Sequence, residues 1–168
     1  MSHSTVYALY KTKAVALKEL RNGHGSGPAV WWYVAKKLHG KDFNTMNPED
    51  FWGGYKSSEL DEAEKSVLLF TYDRMFVEVG ELKRFSEACE AVHGRILEET
   101  DWTWSHFETI GREAKKLHKE HDYRCFGMTL DCTSVADYWK WAGKDDIAEA
   151  CGVYEVINSL NQDDGEIK

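Results

Sequence analysis

A glycine-rich loop at residues 23–27, followed by Pro28, is the best local candidate for chemistry in this sequence. Glycines allow a backbone to approach a ligand closely, and proline suits the first turn of a helix. The free N–H groups at such a helix start attract a phosphate or a carboxylate. The loop lacks the spacing of a P-loop, and a plain turn also needs glycine. The candidate anion-binding residues are Gly23, His24, Gly25, Ser26, Gly27, Lys11 and Arg21.

A zinc site is a weaker candidate. Two histidines lie three positions apart at the end of a predicted helix, and two cysteines follow them, which are ligand types that zinc accepts. The cysteine spacing is not that of a zinc knuckle, and roles in the core or on the surface are favoured. The four residues are His118, His121, Cys125 and Cys132. Elsewhere Cys89 and His93 lie one helical turn apart, but Cys89 falls on an apolar face, so we expect a buried, inert thiol.

Tryptophans in close pairs indicate a second kind of site. Neighbours in sequence point in different directions on a helix, so at least one tryptophan of each pair should leave the core. Exposed aromatic side chains are typical of protein interfaces, and they also stack on bases or sugars. The candidate interface residues are Trp32, Trp102, Trp104, Trp139, Trp141 and the neighbouring Asp101.

Acidic clusters occur at residues 59–64, 98–101 and 145–146. Such clusters could imitate a nucleic-acid backbone toward a basic partner, although most are simply solvated helix faces. The whole chain has a net charge of −8, and the charge is unevenly distributed. Residues 1–41 carry a charge of +6, whereas residues 42–168 carry −14. A duplex-binding domain is usually basic, so binding to bulk duplex nucleic acid is disfavoured.

Length and composition indicate one compact domain. The chain has 168 residues, of which 42% are apolar and 13% aromatic, so a disordered chain is excluded. No apolar run approaches the length of a membrane span, and no signal peptide is visible. We therefore expect a cytoplasmic protein with reduced cysteines, no membrane contact and no cofactor. The predicted domain covers residues 1–161, and residues 162–168 are predicted to be a polar, frayed tail.

The apolar periodicity predicts a helix-rich α+β fold with about three short strands and six or seven helices. An all-α fold is the alternative if the short apolar runs are buried helix ends. The strands are predicted at residues 5–10, 67–72 and 124–130. The main helices are predicted at residues 11–21, 28–40, 81–97, 103–121, 134–143 and 145–160, with shorter ones starting near Asn47 and at a Ser58–Asp61 capping box.

Three segments carry a resemblance to a known group of proteins. They are YALYKTKAVALKELRNGHGSGPAVW (residues 7–31), VLLFTYDR (residues 67–74) and TSV (residues 133–135). Together they resemble a family of small uncharacterised proteins found in bacteriophages and bacterial genomes. The resemblance implies no established activity and no catalytic residues. It implies a phage-type accessory role, in which a small protein blocks a host enzyme or defence complex or sequesters a nucleotide.

Two functions follow as expectations. The first is a non-enzymatic accessory protein that occupies the surface of a host or defence protein in the bacterial cytoplasm. Aromatic anchors would supply the buried contact, and the acidic surface would speed the encounter with a basic target. The alternative is a protein that binds, and sequesters or hydrolyses, a nucleotide or another phosphate-bearing small molecule at the loop of residues 23–28.

Overall fold

The computed structural model of the protein describes residues 3–11, 13–21, 27–72, 75–100, 102–120, 122–131 and 151–166. A five-stranded mixed sheet has the order β2-β1-β4-β3-β5. All neighbouring strands are antiparallel except β3 and β5, which run parallel. The strands are β1 (His3–Tyr10), β2 (Ala14–Arg21), β3 (Met75–Glu78), β4 (Cys125–Asp131) and β5 (Cys151–Gly152).

Five α-helices of the described residues pack on one face of this sheet. Their buried side chains form one apolar cluster with the sheet residues Val6, Val77 and Met128. The opposite face carries a smaller cluster around Tyr7 and Leu9. The architecture is α+β, as the sequence predicts. The helices are α1 (Gly27–His39), α2 (Glu62–Phe70), α3 (Leu82–Glu99), α4 (His106–Glu120) and α5 (Val153–Glu166).

The predicted helix over residues 11–21 is wrong. The chain turns at Tyr10, whose N–H donates to the carbonyl of Lys13, and returns as β2 along β1. Most of β2 is exposed, with Leu20 as its one buried residue. The residues of β2 have a high helix propensity. They form a strand because the backbone of β1 offers them hydrogen bonds, and this pairing outweighs the local propensity.

The predicted strand over residues 67–72 is also wrong, because its first residues form the second half of α2. The helix begins at the N-cap Asp61, which accepts a hydrogen bond from the N–H of Glu64 at 3.0 Å. Val67, Leu68, Leu69 and Phe70 are all buried. A short helix that is enclosed on every side carries the same unbroken apolar run as a buried strand.

The strongly periodic helices are confirmed. On α3 the buried residues include Leu82, Phe85, Cys89, Val92 and Ile96, and on α4 they include Phe107, Ile110, Ala114 and Leu117. The two helices pack closely at Gly111, whose carbonyl accepts a hydrogen bond from the Ser86 hydroxyl at 2.8 Å. The predicted stop of α1 is confirmed at Gly40, which has a φ of +64°. Glycine tolerates this left-handed conformation, which ends many helices.

The C-terminal part differs from the expectation in its boundaries. The structure starts α5 at Val153 and continues it to Glu166, past Asn161, where the sequence predicted the tail to begin. The predicted helix at 134–143 and the start of the one at 145 lie outside the described residues. The strand near residue 125 is confirmed, whereas β2, β3 and β5 were not predicted.

Candidate functional site

The residues of the predicted anion site are only partly within the described structure. Gly23, His24, Gly25 and Ser26 lie outside it, and Gly27 begins α1. Arg21 is the exposed last residue of β2, whereas Lys11 lies in the turn at the other end of the hairpin. Because β2 is eight residues long and a strand rises by about 3.3 Å per residue, Lys11 cannot join Arg21 at one ligand. Two of the predicted anion-site residues, Lys11 and Arg21, therefore lie at opposite ends of the hairpin.

An aromatic surface lies where the end of α1 meets the connection between α3 and α4. Trp102 contacts Trp32 at 5.8 Å and Phe43 at 6.4 Å between ring centroids. Trp32 is buried and so supports this surface from below, whereas Trp104 is 50% exposed. The ring of Trp104 packs against His106 at 5.0 Å. We call Phe43, Trp102 and Trp104 the Trp104 surface.

Charged groups of both signs surround the Trp104 surface. The Lys36 ammonium lies 5.0 Å from the centre of the Trp32 ring and 3.2 Å from the Glu99 carboxylate. The ring of His106 donates a hydrogen bond to the carbonyl of Arg21, so the end of β2 lies beside Trp104. Two predicted groups, the interface tryptophans and Arg21, are thus neighbours. The other predicted interface residues, Asp101, Trp139 and Trp141, lie outside the described residues.

A second aromatic surface was missed by the sequence analysis. It consists of Trp31, Trp52, Tyr55 and Tyr72, and we call it the Trp52 surface. Trp52 is 41% exposed, and the other three rings are half-buried. The signal was present in the sequence, since Phe51-Trp52-Gly53-Gly54-Tyr55 combines aromatic residues with a turn. The sequence analysis predicts only a short helix starting near Asn47 for this segment.

A buried carboxylate, Glu64, joins three helices. Its Oε1 accepts hydrogen bonds of 2.7 Å from the Tyr33 hydroxyl and from the Lys37 ammonium on α1. Arg95 on α3 lies 3.2 Å from the same oxygen and 2.8 Å from Asp61. The Glu64 side chain is fully buried, and its Oε2 accepts the N–H of Asp61. The two cations, Lys37 and Arg95, balance the charge of the two anions, Asp61 and Glu64. The cluster therefore links α1, α2 and α3 without a net charge.

The pKa shifts of this cluster have clear physical causes. Burial, followed by the hydrogen bond to Glu64, raises the pKa of Tyr33 well above its ordinary value. For Asp61, partial burial acts to raise the pKa, but the Glu64 N–H and the Arg95 guanidinium together outweigh it and lower the pKa. The acidic cluster at residues 59–64 is therefore not simply a solvated face, because Asp61 and Glu64 are neutralised by cations.

A serine, a histidine and a glutamate meet between α3 and α4. The Nδ1 of His93 lies 2.7 Å from the Ser105 hydroxyl, and its Nε2 lies 3.7 Å from the Glu108 carboxylate. Nucleophilic serines use these residue types, but a nucleophile must be open to its substrate. Ser105 is only 3% exposed. The contact between His93 and Ser105 therefore holds the start of α4 against α3. Ser105 directly follows Trp104 in the sequence.

The remaining predicted residues are placed in different ways. Cys89 is buried on α3, as expected, and burial raises the pKa of its thiol. Cys125 is buried on β4, and its thiol donates to the carbonyl of Gly127 at 3.4 Å. Within the described residues, no three His, Cys, Asp or Glu side chains are grouped so that they could hold a metal ion. Two of the candidate zinc ligands, His121 and Cys132, lie outside that part of the chain.

Comparisons of the chain with protein-family models, with curated proteins and with solved structures find no match. Among the helices that the structure describes, none combines the length and the apolar composition required to cross a membrane. The geometry of the residues themselves therefore carries the functional argument.

Proposed function

We propose that this protein is a non-enzymatic, phage-type accessory protein that occupies the surface of a host or defence protein through the Trp104 surface. The observation that carries the proposal is the half-exposed side chain of Trp104, two residues along the chain from Trp102, whose ring packs against Trp32 and Phe43. Tryptophans held by a packed support are typical anchors of protein interfaces, because little side-chain freedom is lost on binding.

Acidic residues at the end of α3 support the same proposal. Glu98 is exposed and directly precedes Glu99, which pairs with Lys36 beside the tryptophans. The chain as a whole has a net charge of −8. A negative surface increases the rate at which a basic target is encountered, so association should slow as salt is added.

The proposed location is the bacterial cytoplasm. The resemblance of residues 7–31 to proteins from bacteriophages and bacterial genomes supports it. The two buried cysteines, Cys89 and Cys125, are free thiols, as is usual in a reducing compartment.

Affinity capture from a bacterial lysate, with a matched control, tests this proposal. The double variant Trp102→Ala/Trp104→Ala should lose a captured protein that the wild type retains. Tyr123→Ala is the control, because Tyr123 is 94% exposed but lies at the start of the turn into β4, away from these tryptophans. If the double variant, shown to be folded by circular dichroism, captures the same proteins as the control, the proposal is wrong.

Phosphate-ligand binding is the second candidate function. The observation that favours it is the exposed Arg21 at the end of β2, six residues before the start of α1 at Gly27. A guanidinium and the free N–H groups of a helix start both bind phosphate. Nucleotides should then raise the melting temperature, and Arg21→Ala or Gly25→Val should remove the increase. A screen in which no nucleotide or inorganic phosphate changes the melting temperature would exclude this function.

A further inference from the structure

The outer side of α4 carries a row of positive charges. The buried residues of this helix lie on one side, where α4 packs against α3, and include Phe107, Ile110 and Leu117. Four basic residues lie on the opposite side, and all four are exposed. Because an α-helix has about 3.6 residues per turn, positions three, four and seven apart share one face. We call this row the α4 ridge, and it consists of Arg112, Lys115, Lys116 and Lys119.

The cations of the α4 ridge are not neutralised by direct pairing. None of them forms an ion pair with any residue that the structure describes. Arg112 donates a hydrogen bond to the Thr109 hydroxyl at 3.3 Å, which leaves the rest of its guanidinium available. Four cations on α1 and α3 differ, because each lies 3.2 Å or less from a carboxylate oxygen, namely Lys36, Lys37, Arg84 and Arg95.

Helix stability does not account for the α4 ridge. A cation near the C-terminus of a helix is favoured by the helix dipole, which explains Lys119 in the last turn. Arg112 lies about two turns earlier, where this effect has faded. Arg112 and Lys116 are four positions apart, as are Lys115 and Lys119, and like charges at this spacing repel each other on a helix surface. An anionic partner would remove this repulsion.

The acids of the same helix limit the width of the positive surface. Glu113 and Glu120 lie along one flank of α4, and Glu108 precedes the ridge, 3.7 Å from the Nε2 of His93. The positive surface is therefore about one helix wide, and it extends for about 10 Å at a rise of about 1.5 Å per residue. A single row of carboxylates matches this shape. A nucleic-acid duplex would bring further phosphates towards the flanking acids.

The exposed positions of α4 also disfavour two other anionic partners. Among the described residues of this helix, no exposed position carries an aromatic ring or a large apolar side chain. Proteins that bind single-stranded nucleic acid usually stack the bases on aromatic side chains. Helices that bind to a membrane surface insert apolar side chains beside their cations. An acidic protein segment requires neither feature.

We infer that the α4 ridge binds an acidic segment of a partner protein. The Arg112 guanidinium donates two hydrogen bonds to one carboxylate, and the lysine ammonium groups pair with the carboxylates that follow. The net charge of −8 on the whole chain does not prevent this contact, since charges beyond about 8 Å are largely screened at physiological salt. The inference does not depend on the Trp104 surface, which is built from other residues.

Fluorescence anisotropy of a labelled peptide, titrated with the full-length protein, tests this inference. The probe is decaglutamate, and the matched peptide has alternating glutamine and serine in place of the glutamates. The wild type should bind the probe and not the matched peptide, and added salt should weaken the binding. Lys116→Gln/Lys119→Gln retains a high helix propensity at both positions. It should weaken binding about fivefold, because each exposed charge pair contributes only a little.

Lys56→Gln/Lys65→Gln is the control variant, because it removes the same charge from the turn before α2 and from α2 itself. It should bind the probe as the wild type does, and circular dichroism should show both variants folded. In the wild type, the probe should shift the backbone amide NMR signals of residues 112–119.

Absence of probe binding by the wild type, equal losses of affinity in the two double variants, or signal shifts confined to other parts of the chain would overturn the inference. Tighter binding of oligothymidylate than of decaglutamate would also overturn it, since the ridge would then be a nucleic-acid site.

Discussion

The Tyr33 hydroxyl donates a hydrogen bond of 2.7 Å to the fully buried carboxylate of Glu64, across 31 positions of the sequence. This contact connects the middle of α1 to the first turn of α2. Lys37 lies one turn further along α1 and reaches the same oxygen. A buried carboxylate is costly unless it is paired, so these partners determine how the two helices can pack.

Replacing Glu64 should therefore destabilise the protein strongly. Glu64→Gln keeps the size of the side chain but leaves Lys37 and Arg95 without their shared anion. Both cations are about a third exposed and can be partly hydrated, so we expect a loss of roughly 2–3 kcal/mol in the free energy of unfolding. Urea denaturation measures it. Glu59→Gln, at an exposed position of the same segment, is the control and should change stability by less than about 0.5 kcal/mol. Equal effects of the two variants would contradict the role of Glu64.

Lowering the pH should decrease the free energy of unfolding, in part because Asp61 becomes protonated. Its pKa is lower in the folded protein than the ordinary value of 3.8, so the unfolded chain takes up a proton at a higher pH than the folded one. The stabilising contribution is therefore present above the unfolded pKa and is lost as the pH falls through the folded pKa. Asp61→Asn retains an N-cap oxygen but cannot titrate. Its free energy of unfolding should fall less steeply than that of the wild type below about pH 4. If the free energy of unfolding falls with pH equally steeply in the two proteins, Asp61 makes no contribution to the acid sensitivity.

The cysteines should differ sharply in reactivity. Cys151 is exposed on β5, whereas Cys89 and Cys125 are buried, and burial raises the pKa of both of their thiols. Since the thiolate is the reactive form, iodoacetamide should modify Cys151 in the native protein and the other two only after unfolding. Peptide mass spectrometry reports each site separately. Modification of Cys89 at the rate of Cys151 in native buffer would show that α3 opens readily.

Two helical glycines should respond oppositely to substitution by alanine. A Cβ at Gly94 on α3 would have no atom within 4 Å, so Gly94→Ala should stabilise by about 0.5–1 kcal/mol through helix propensity. A Cβ at Gly111 on α4 would lie 2.9 Å from the Cβ of Cys89 and 3.3 Å from the carbonyl oxygen of Ser86. Gly111→Ala should therefore destabilise by roughly 1–3 kcal/mol, because α3 and α4 must separate. Thermal unfolding compares the pair directly. A stabilised Gly111→Ala variant would show that the interface between α3 and α4 is loose.

The parts of the fold that follow from local pattern were predictable. The spacing of Leu82, Phe85 and Cys89 identified α3, and the Gly40 stop of α1 followed from its residue type. The buried thiol of Cys89 followed from its place on the apolar face. At the candidate sites, Trp104 is among the predicted interface residues, and the structure exposes half of its side chain. Trp52 is not among them, because aromatic residues next to a turn do not by themselves show which ring reaches the surface.

Sequence alone predicted the α+β class, with an all-α fold as the alternative, and it located the two most periodic helices. A helix with one buried face repeats its apolar residues every three or four positions, and this spacing can be read from the sequence. Only the tertiary structure decided that residues 14–21 form a strand and that residues 67–70 belong to a helix. It alone also brought Tyr33, Glu64 and Arg95 together and set Trp52 against Tyr72. These outcomes depend on residues that are far apart along the chain. Whether a strand at the edge of a sheet or a buried carboxylate is stable is determined by those distant partners and not by the adjacent residues.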